Sequence, residues 1–393
     1  MISQKMLELG KKSSVIREIF EYGNRRRAEI GAENVYDFSL GNPSIPAPAA
    51  VKDALCDLLE NTDPVALHGY TSAPGAPEVR RAIAESIVKR FGVEANMGNI
   101  YMTCGAAASL TVSLKALVSE GDEVIVLAPF FPEYRVFAEA AGATLVVSAP
   151  RADMGPDLEG LAALITPKTK AIIINSPNNP TGAVIGEADV KALCALLDTK
   201  QQEYGTDIYI IADEPYRELV YGNVMVPYLP AYYDNTLVCY SYSKSLSLPG
   251  ERIGYIFVSP KAKDSGDLFA AVCGAGRALG FVCAPSMMQY AIAKCLDAKA
   301  DIAAYEENRD LLYNALVKYG YEVIEPQGAF YLFMKSPEPD ANAFCEKAKK
   351  YELLLVPGDS FGGAGYVRIS YCVAKSTIEN ALPAFEKLIG EYK

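Results

Sequence analysis

The stretch with the clearest chemical potential is Ser-Tyr-Ser-Lys at positions 241–244, followed by an arginine at position 252. The apolar runs on either side predict two buried strands, so Lys244 would lie in the turn between them. Such a lysine is either a solvated loop charge or an amine held in a pocket, since lysines are seldom buried without a partner. Ser241, Ser243 and Arg252 favour the pocket, because hydroxyl groups beside a guanidinium can bind the oxygens of a phosphate. An amine next to a phosphate site suggests pyridoxal phosphate.

The spacing Ser-x-Ser-Lys-x(7)-Arg-x-Gly resembles the Schiff-base signature of the class I and II aminotransferases of fold type I, the aspartate aminotransferase superfamily. The resemblance implies that Lys244 binds pyridoxal 5'-phosphate (PLP) as a Schiff base and then serves as catalytic general base and acid. It also implies that Ser241 and Arg252 bind the cofactor phosphate. Ser243, the second hydroxyl of the motif, is included among the expected cofactor contacts.

Two further loops match the cofactor-binding pattern of this family. Gly105, Ala106 and Ala107 precede a predicted helix at residues 109–118, and backbone N–H groups at a helix start bind anions well. A glycine turn before a helix is common, but the resemblance implies that Gly105 forms a phosphate cradle with Ala106 and Ala107 on the oxygens. Phe131 lies between two prolines, where aromatic residues usually pack within the loop. The resemblance implies that its ring stacks on the pyridine face, for which a flat apolar side chain suffices.

Polar residues follow two of the predicted strands. Asp213 ends a buried run, where a carboxylate is costly unless it meets a positive partner. The resemblance implies that this partner is the protonated pyridine nitrogen, and that catalytic Tyr216 bonds the phenolic oxygen. Asn179, in a run close to the family's Asn-Pro-x-Asn-Pro-Thr-Gly, would bind the same oxygen and lie against the substrate. Ser176 departs from that motif, and Pro180 is a candidate cis proline.

Besides Asn179, three residues are candidates for substrate binding. Gly41 precedes a proline-rich passage that is either a linker or a close approach of the backbone to the substrate, as in the family. Arg368, in a Val-Arg-Ile-Ser strand, is either an edge charge or the family's arginine for the substrate α-carboxylate. Arg277 is either a surface arginine or, from the neighbouring subunit, the acceptor of the second carboxylate of aspartate or glutamate. The lysine that one branch of the family uses for that carboxylate is replaced by Ala107.

Tyr70 lies in a glycine- and proline-rich loop, where a tyrosine can simply pack on its neighbours. In the family, however, a tyrosine in a Tyr-x(4)-Gly pattern reaches the cofactor phosphate of the opposite subunit. The resemblance therefore implies a homodimer with composite active sites.

The secondary-structure elements that must position these residues have the pattern of an α/β protein. Seven apolar runs separated by helix-like segments predict one mostly parallel sheet, as in PLP-transferases of fold type I, with ligands collecting at the strand ends. The pattern predicts a large PLP-binding domain at residues 46–285 and a smaller α+β domain formed by residues 1–45 and 286–393. The predicted strands are 100–103, 123–127, 144–148, 171–175, 208–212, 236–241, 253–258 and 330–334; the predicted helices include 13–32 with Ser13 or Ser14 as N-cap, 77–91, 187–203, 287–300 and 302–319.

Composition excludes several classes of function. The formal charge of −11 argues against nucleic-acid binding, which needs clustered basic residues. Nine cysteines without a Cys-x-x-Cys pair and a single histidine, His68, favour neither a disulfide framework nor a metal site. No stretch approaches the roughly 20 apolar residues of a membrane span, nor is there a signal peptide. We therefore expect a cytoplasmic protein.

The combined expectation is a PLP-dependent aminotransferase that moves an amino group from an L-amino acid to a 2-oxo acid by a ping-pong mechanism. A PLP-dependent carbon–sulfur lyase would use the same cofactor residues and remains an alternative. A ligand-binding regulator with an aminotransferase-like domain is a more remote one, because such regulators carry an additional DNA-binding domain.

Overall fold

The structure, a computed structural model, describes residues 2–11 and 15–393. The strands are β1 (Tyr36–Asp37), β2 (Ile100–Thr103), β3 (Glu123–Leu127), β4 (Thr144–Ser148), β5 (Thr169–Asn175), β6 (Tyr209–Asp213), β7 (Thr236–Ser241), β8 (Gly254–Val258), β9 (Val323–Ile324), β10 (Tyr331–Lys335), β11 (Leu353–Leu354), β12 (Val356–Pro357) and β13 (Tyr366–Ser370). The α-helices are α1 (Gln4–Lys11), α2 (Val15–Ile30), α3 (Ala49–Asn61), α4 (Pro64–His68), α5 (Pro77–Phe91), α6 (Ala106–Leu117), α7 (Glu133–Ala141), α8 (Leu158–Leu164), α9 (Glu187–Tyr204), α10 (Tyr242–Ser245), α11 (Ser265–Ala278), α12 (Ser286–Ala293), α13 (Ile302–Tyr319), α14 (Ala341–Ala348) and α15 (Lys375–Gly390).

The seven-stranded sheet has the order β2-β8-β7-β6-β5-β3-β4, and β8 alone runs in the direction opposite to the other six strands. Alternate residues of the central strands enter different cores: Ile172 and Ile174 of β5 face one, while Ala171 and Ile173 face the other. This two-sided burial explains why the strands are continuously apolar. The predicted α/β class and mostly parallel sheet are confirmed.

The register of the parallel strands brings the ends of β5, β6 and β7 together. The Cα of Asp213, the last residue of β6, pairs with Asn175 at the end of β5 and with Cys239 of β7. Because these strands are parallel, the loops that follow them emerge at one edge of the sheet. The sheet therefore gathers the segments carrying Asn179, Asp213 and Lys244.

A second core surrounds the four-stranded antiparallel sheet β12-β13-β10-β9. Helices α13, α14 and α15 contribute to this core, and β1 pairs in parallel with β11. The N-terminal helix α2 joins this side, since Ile19 packs with Leu354, Val356 and Phe361.

We propose the two-domain division on the basis of these cores, with one change from the predicted boundary at residue 285. Met288 and Ile292 of α12 pack in the core of the seven-stranded sheet. The large domain would therefore extend through α12 rather than end before it.

Several predicted element boundaries differ from the structure. Helices at 77–91 and 302–319 have the predicted bounds, but the helix predicted at 287–300 is α12 and ends at Ala293. The helix predicted from 109 begins at Ala106. The proposed caps Ser13 and Ser14 lie outside the described residues. Within the described ranges, no helix is long and apolar enough to cross a membrane, and no cluster of three or more His, Cys, Asp or Glu is arranged to hold a metal ion.

Candidate active site

A cavity of about 370 Å³ lies where the ends of β5, β6 and β7 face the second sheet. It contains most of the residues selected from the sequence, although they come from widely separated parts of the chain. The selected residues that line it are Gly41, Ala106, Ala107, Phe131, Asn179, Asp213, Tyr216, Ser241, Ser243, Lys244, Arg252 and Arg368.

Lys244 lies in the short helix α10 rather than in an open turn. The hydroxyl of Ser241 caps this helix by accepting a hydrogen bond from the Ser243 N–H at 3.2 Å. The Lys244 Nζ donates to the carbonyl oxygen of Gly41 at 2.8 Å. Burial lowers the pKa of the Lys244 amine to about 8. Roughly a tenth of the amine is therefore neutral, and so nucleophilic, at pH 7, far more than for a lysine with the ordinary pKa of 10.5.

Groups with the chemistry to bind a phosphate converge at the start of α6. Gly105 has a φ of 88°, and a Cβ at this position would lie 2.8 Å from Nη2 of Arg252. The absence of a side chain thus lets the guanidinium approach the helix N-terminus, a favourable position for an anion. Ser241 and Ser243 add two hydroxyls whose oxygens are 2.7 Å apart.

Asp213 is buried at the end of β6 with one carboxylate oxygen satisfied. The Tyr134 hydroxyl donates to Oδ2 at 2.5 Å, whereas Oδ1 is buried and has no hydrogen-bond partner among the described residues. Burial raises the pKa of the Asp213 carboxyl to about 7. A protonated pyridine nitrogen would supply both the missing donor and the positive charge, so this carboxylate fits the cofactor. A role for Tyr134 was not predicted from the sequence. Its only sequence signal is its position in the aromatic segment 129–134, which also contains Phe131.

Arg368 is buried in β13, and its guanidinium carbon lies 4.8 Å from the ring centroid of Tyr331 and 4.9 Å from that of Phe361. Its Nη1 donates to Oδ1 of Asn179 at 3.2 Å and its Nη2 donates to the carbonyl oxygen of Ser39 at 2.5 Å. Neither acceptor is a carboxylate, and Nε has no partner among the described residues. Burial accordingly lowers the pKa of the guanidinium. A buried cation in this state fits a ligand carboxylate.

Asn179 is held by its neighbours at the end of β5. Its backbone N–H donates to Oδ1 of Asn175 at 2.8 Å, and the Asn175 Nδ2 donates to the carbonyl oxygen of Asp213 at 2.9 Å. The peptide bond before Pro180 is cis, as predicted; those before Pro129 and Pro177 are also cis and were not predicted.

Tyr331 is the second residue that the sequence analysis missed. Its hydroxyl lies 3.0 Å from the hydroxyl of Tyr216, and a Cβ at Gly41 would approach it to 2.0 Å. Tyr331 belongs to the apolar strand β10 and therefore reads as a core residue, so no sequence signal distinguished it.

Besides Gly105, which lies next to Arg252 at the start of α6, two selected residues do not line the cavity of the single chain. Tyr70 is 91% exposed, and Arg277 is exposed in the last turn of α11. The roles expected of both require a second subunit and remain predictions.

The family model of aminotransferase class I and II matches residues 32–385. The chain is 30% identical to the aspartate aminotransferase of Thermotoga maritima, over 99% of this chain and 100% of the relative. It is 31% identical to the aspartate/prephenate aminotransferase of Thermus thermophilus, over 89% and 90% of the two chains. A crystal structure of an amino transferase from Eubacterium rectale superposes with a TM-score of 0.98 at 55% identity, covering 100% of this chain and 99% of that one.

Proposed function

Since the chain belongs to the class I and II aminotransferase family and is thus a PLP-dependent enzyme, we propose that it moves the amino group of an L-amino acid to a 2-oxo acid by a ping-pong mechanism. The observation that carries the proposal is the arrangement of the Lys244 amine, the Asp213 carboxylate and the Arg368 guanidinium in one cavity. Asp213 Oδ1 and Arg368 Nε have no hydrogen-bond partner among the described residues, and burial disfavours the charged form of Lys244. PLP and an amino-acid substrate would supply the missing partners.

Bound PLP supplies an electron sink for the negative charge that develops at the substrate α-carbon. Asp213 would hold the proton on the ring nitrogen, and Tyr216 and Asn179 would hydrogen-bond the phenolic oxygen. The N–H groups of Ala106 and Ala107, with Gly105, Ser241, Ser243 and Arg252, would bind the phosphate, and Phe131 would pack on the ring.

The protein groups around the substrate hold it and move one proton. Arg368 binds the α-carboxylate with two N–H donors, while Gly41 allows a close backbone approach. The neutral Lys244 Nζ takes the proton from the substrate α-carbon as general base. As general acid, it would deliver this proton to the C4′ carbon of the cofactor. Burial lowers the pKa of this amine and so favours the neutral form that can act as a base.

The ping-pong proposal is tested by a single half-reaction. PLP-loaded protein mixed with an amino donor and no acceptor should release about one equivalent of 2-oxo acid per site and then stop. Adding a 2-oxo acid should restart the reaction. Continuous release of an oxo acid and ammonia from cystathionine without an acceptor would instead establish the carbon–sulfur lyase.

We also propose a homodimer in which Tyr70 contacts the phosphate in the partner's site, and this assignment is supported by the exposure of Tyr70 in the single chain. Tyr70→Phe should weaken PLP retention roughly tenfold or more, because a hydrogen bond to a charged group is lost. The measurement is PLP dissociation followed by dialysis and absorbance.

Mixed dimers distinguish a contact across the interface from one within the subunit. A hybrid of Tyr70→Phe with Arg252→Ala contains one unaltered composite site only if Tyr70 acts on the opposite subunit. We expect hybrids to recover up to about half of the wild-type activity. Activity equal to the average of the two parent variants would contradict the contact.

For side-chain specificity, we propose that Arg277 from the neighbouring subunit accepts the second carboxylate of aspartate or glutamate. Among the described residues, the cations that line the cavity are Lys244, Arg252 and Arg368, and each already has another proposed role. Arg277→Ala should lower kcat/KM for dicarboxylic substrates by about 10²-fold and barely change alanine. The measurement is a panel of amino donors against 2-oxoglutarate, pyruvate and oxaloacetate.

Arg81→Ala, which removes another exposed arginine, is the control for this panel. An equal fall for all substrates, or no fall, would exclude Arg277 from the specificity pocket.

A further inference from the structure

Tyr331 connects three parts of the candidate active site. It is 3% exposed in β10, and its hydroxyl oxygen lies 3.0 Å from that of Tyr216. The Arg368 guanidinium lies over its ring at 4.8 Å. The Tyr331 ring thus packs on the arginine, whereas its hydroxyl contacts Tyr216.

Gly41 makes room for that hydroxyl. A Cβ at position 41 would lie 2.0 Å from the Tyr331 Oη, closer than any real contact, so a side chain there would displace the tyrosine. The carbonyl oxygen of the same Gly41 accepts the hydrogen bond from Lys244. The hydroxyl is therefore confined between Gly41 and Tyr216.

The direction of the hydrogen bond between the two tyrosines follows from their proton count. Each hydroxyl has a single proton to donate. If Tyr216 donates its proton to the phenolic oxygen of PLP, as in the proposed function on which this inference rests, its own oxygen must accept from Tyr331. Hydrogen bonds in such a chain polarise one another, so the accepted bond strengthens the donated one.

We propose that Tyr331 is a positioning residue that fixes the direction of the Tyr216 proton and strengthens the hydrogen bond that Tyr216 donates to the cofactor. The role depends on one oxygen atom. The ring of a phenylalanine would keep the packing on Arg368, which separates the role from substrate binding.

The test is the pH titration of the visible absorption band of PLP-loaded Tyr331→Phe. A weaker hydrogen bond from Tyr216 leaves more negative charge on the phenolic oxygen of PLP. The proton on the Lys244 Nζ, which forms the Schiff base with PLP, is then held more tightly. The pKa of the band should rise by about half a unit. We expect kcat to fall about three- to tenfold while KM for the amino acid stays nearly constant, because Arg368 keeps its ring contact.

Tyr371→Phe is a matched control. The Tyr371 hydroxyl donates to the Tyr221 hydroxyl at 3.0 Å in the same core, and neither tyrosine lines the cavity. This variant also removes one oxygen from a buried tyrosine pair, so it should change thermal stability to a similar extent but leave the band unshifted. Both variants leave the charged neighbours of the Tyr216–Tyr331 pair, Arg368 and Asp213, in place.

A double variant tests whether Tyr331 acts through Tyr216. In the Tyr216→Phe background, Tyr331→Phe should produce no further shift. An unshifted band in Tyr331→Phe, an equal shift in Tyr371→Phe, or an additive shift in the double variant would each overturn the inference. Wild-type protein without a visible band or transamination would overturn the proposed function as well, whereas a normal wild type confines the failure to Tyr331.

Discussion

Lys244→Ala is expected to abolish transamination, with a loss of at least about 10⁴-fold, because one amine both attaches the cofactor and moves the α-proton. The visible absorption band should disappear at the same time. Treatment of the wild type with borohydride should attach the cofactor covalently to the peptide that contains residue 244, and mass spectrometry locates it.

The variant should remain folded. The Lys244 amine contributes one hydrogen bond, to the carbonyl oxygen of Gly41, and its burial disfavours the charged form. Lys294→Ala, which removes a lysine from an exposed ion pair with Asp57, should keep full activity. Full activity of the alanine variant at 244, or labelling of a different lysine, would refute the assignment of the cavity as the catalytic site.

Asp213→Asn is expected to lower turnover by about 10³-fold or more, since a neutral amide cannot retain the proton of the pyridine nitrogen. PLP retention should weaken less than turnover, because the phosphate contacts are unchanged. Steady-state kinetics and PLP dissociation measured on the same preparation separate the two effects. Unchanged turnover would show that another group maintains ring protonation.

The same variant should change the pH dependence of apoprotein stability. Burial raises the pKa of Asp213 from 3.8 to about 7, so the folded apoprotein binds this proton more tightly than the unfolded chain does. Its contribution to the free energy of unfolding is present below pH 4 and is lost as the pH rises through 7. Asp213→Asn should lack that decline and should be the more stable apoprotein at pH 8. Identical pH profiles of the two apoproteins would contradict the raised pKa.

The residues that sequence reasoning located are those that local chemistry makes conspicuous. Asp213 interrupts an apolar run, and Lys244 stands among hydroxyls with Arg252 at a fixed spacing. Asp213 ends β6 and Lys244 closely follows the end of β7, and the continuous apolar runs were sufficient to predict those strands. The parallel register then explains why loops far apart in the chain share one cavity.

Tyr134 and Tyr331 could not be selected in this way. Tyr134 lies in the first turn of an amphipathic helix and Tyr331 lies in an apolar strand, so each has the pattern of a core residue. Their roles depend on where their hydroxyl oxygens end up, next to Asp213 and Tyr216. Those contacts span 79 and 115 residues of sequence and are set by tertiary packing. The apolar spacing that predicted a helix to residue 300 likewise did not predict that α12 ends at Ala293.

The contacts around Arg368 have a consequence for conformational entropy. An arginine side chain has many rotamers, and immobilising such a side chain upon binding typically costs about 0.5–1.5 kcal/mol. Here the guanidinium is held by groups of the protein itself: two rings, the Asn179 amide and the Ser39 carbonyl oxygen. Folding has already removed the rotational freedom of Arg368, so a carboxylate that binds it gains the hydrogen bonds without that loss.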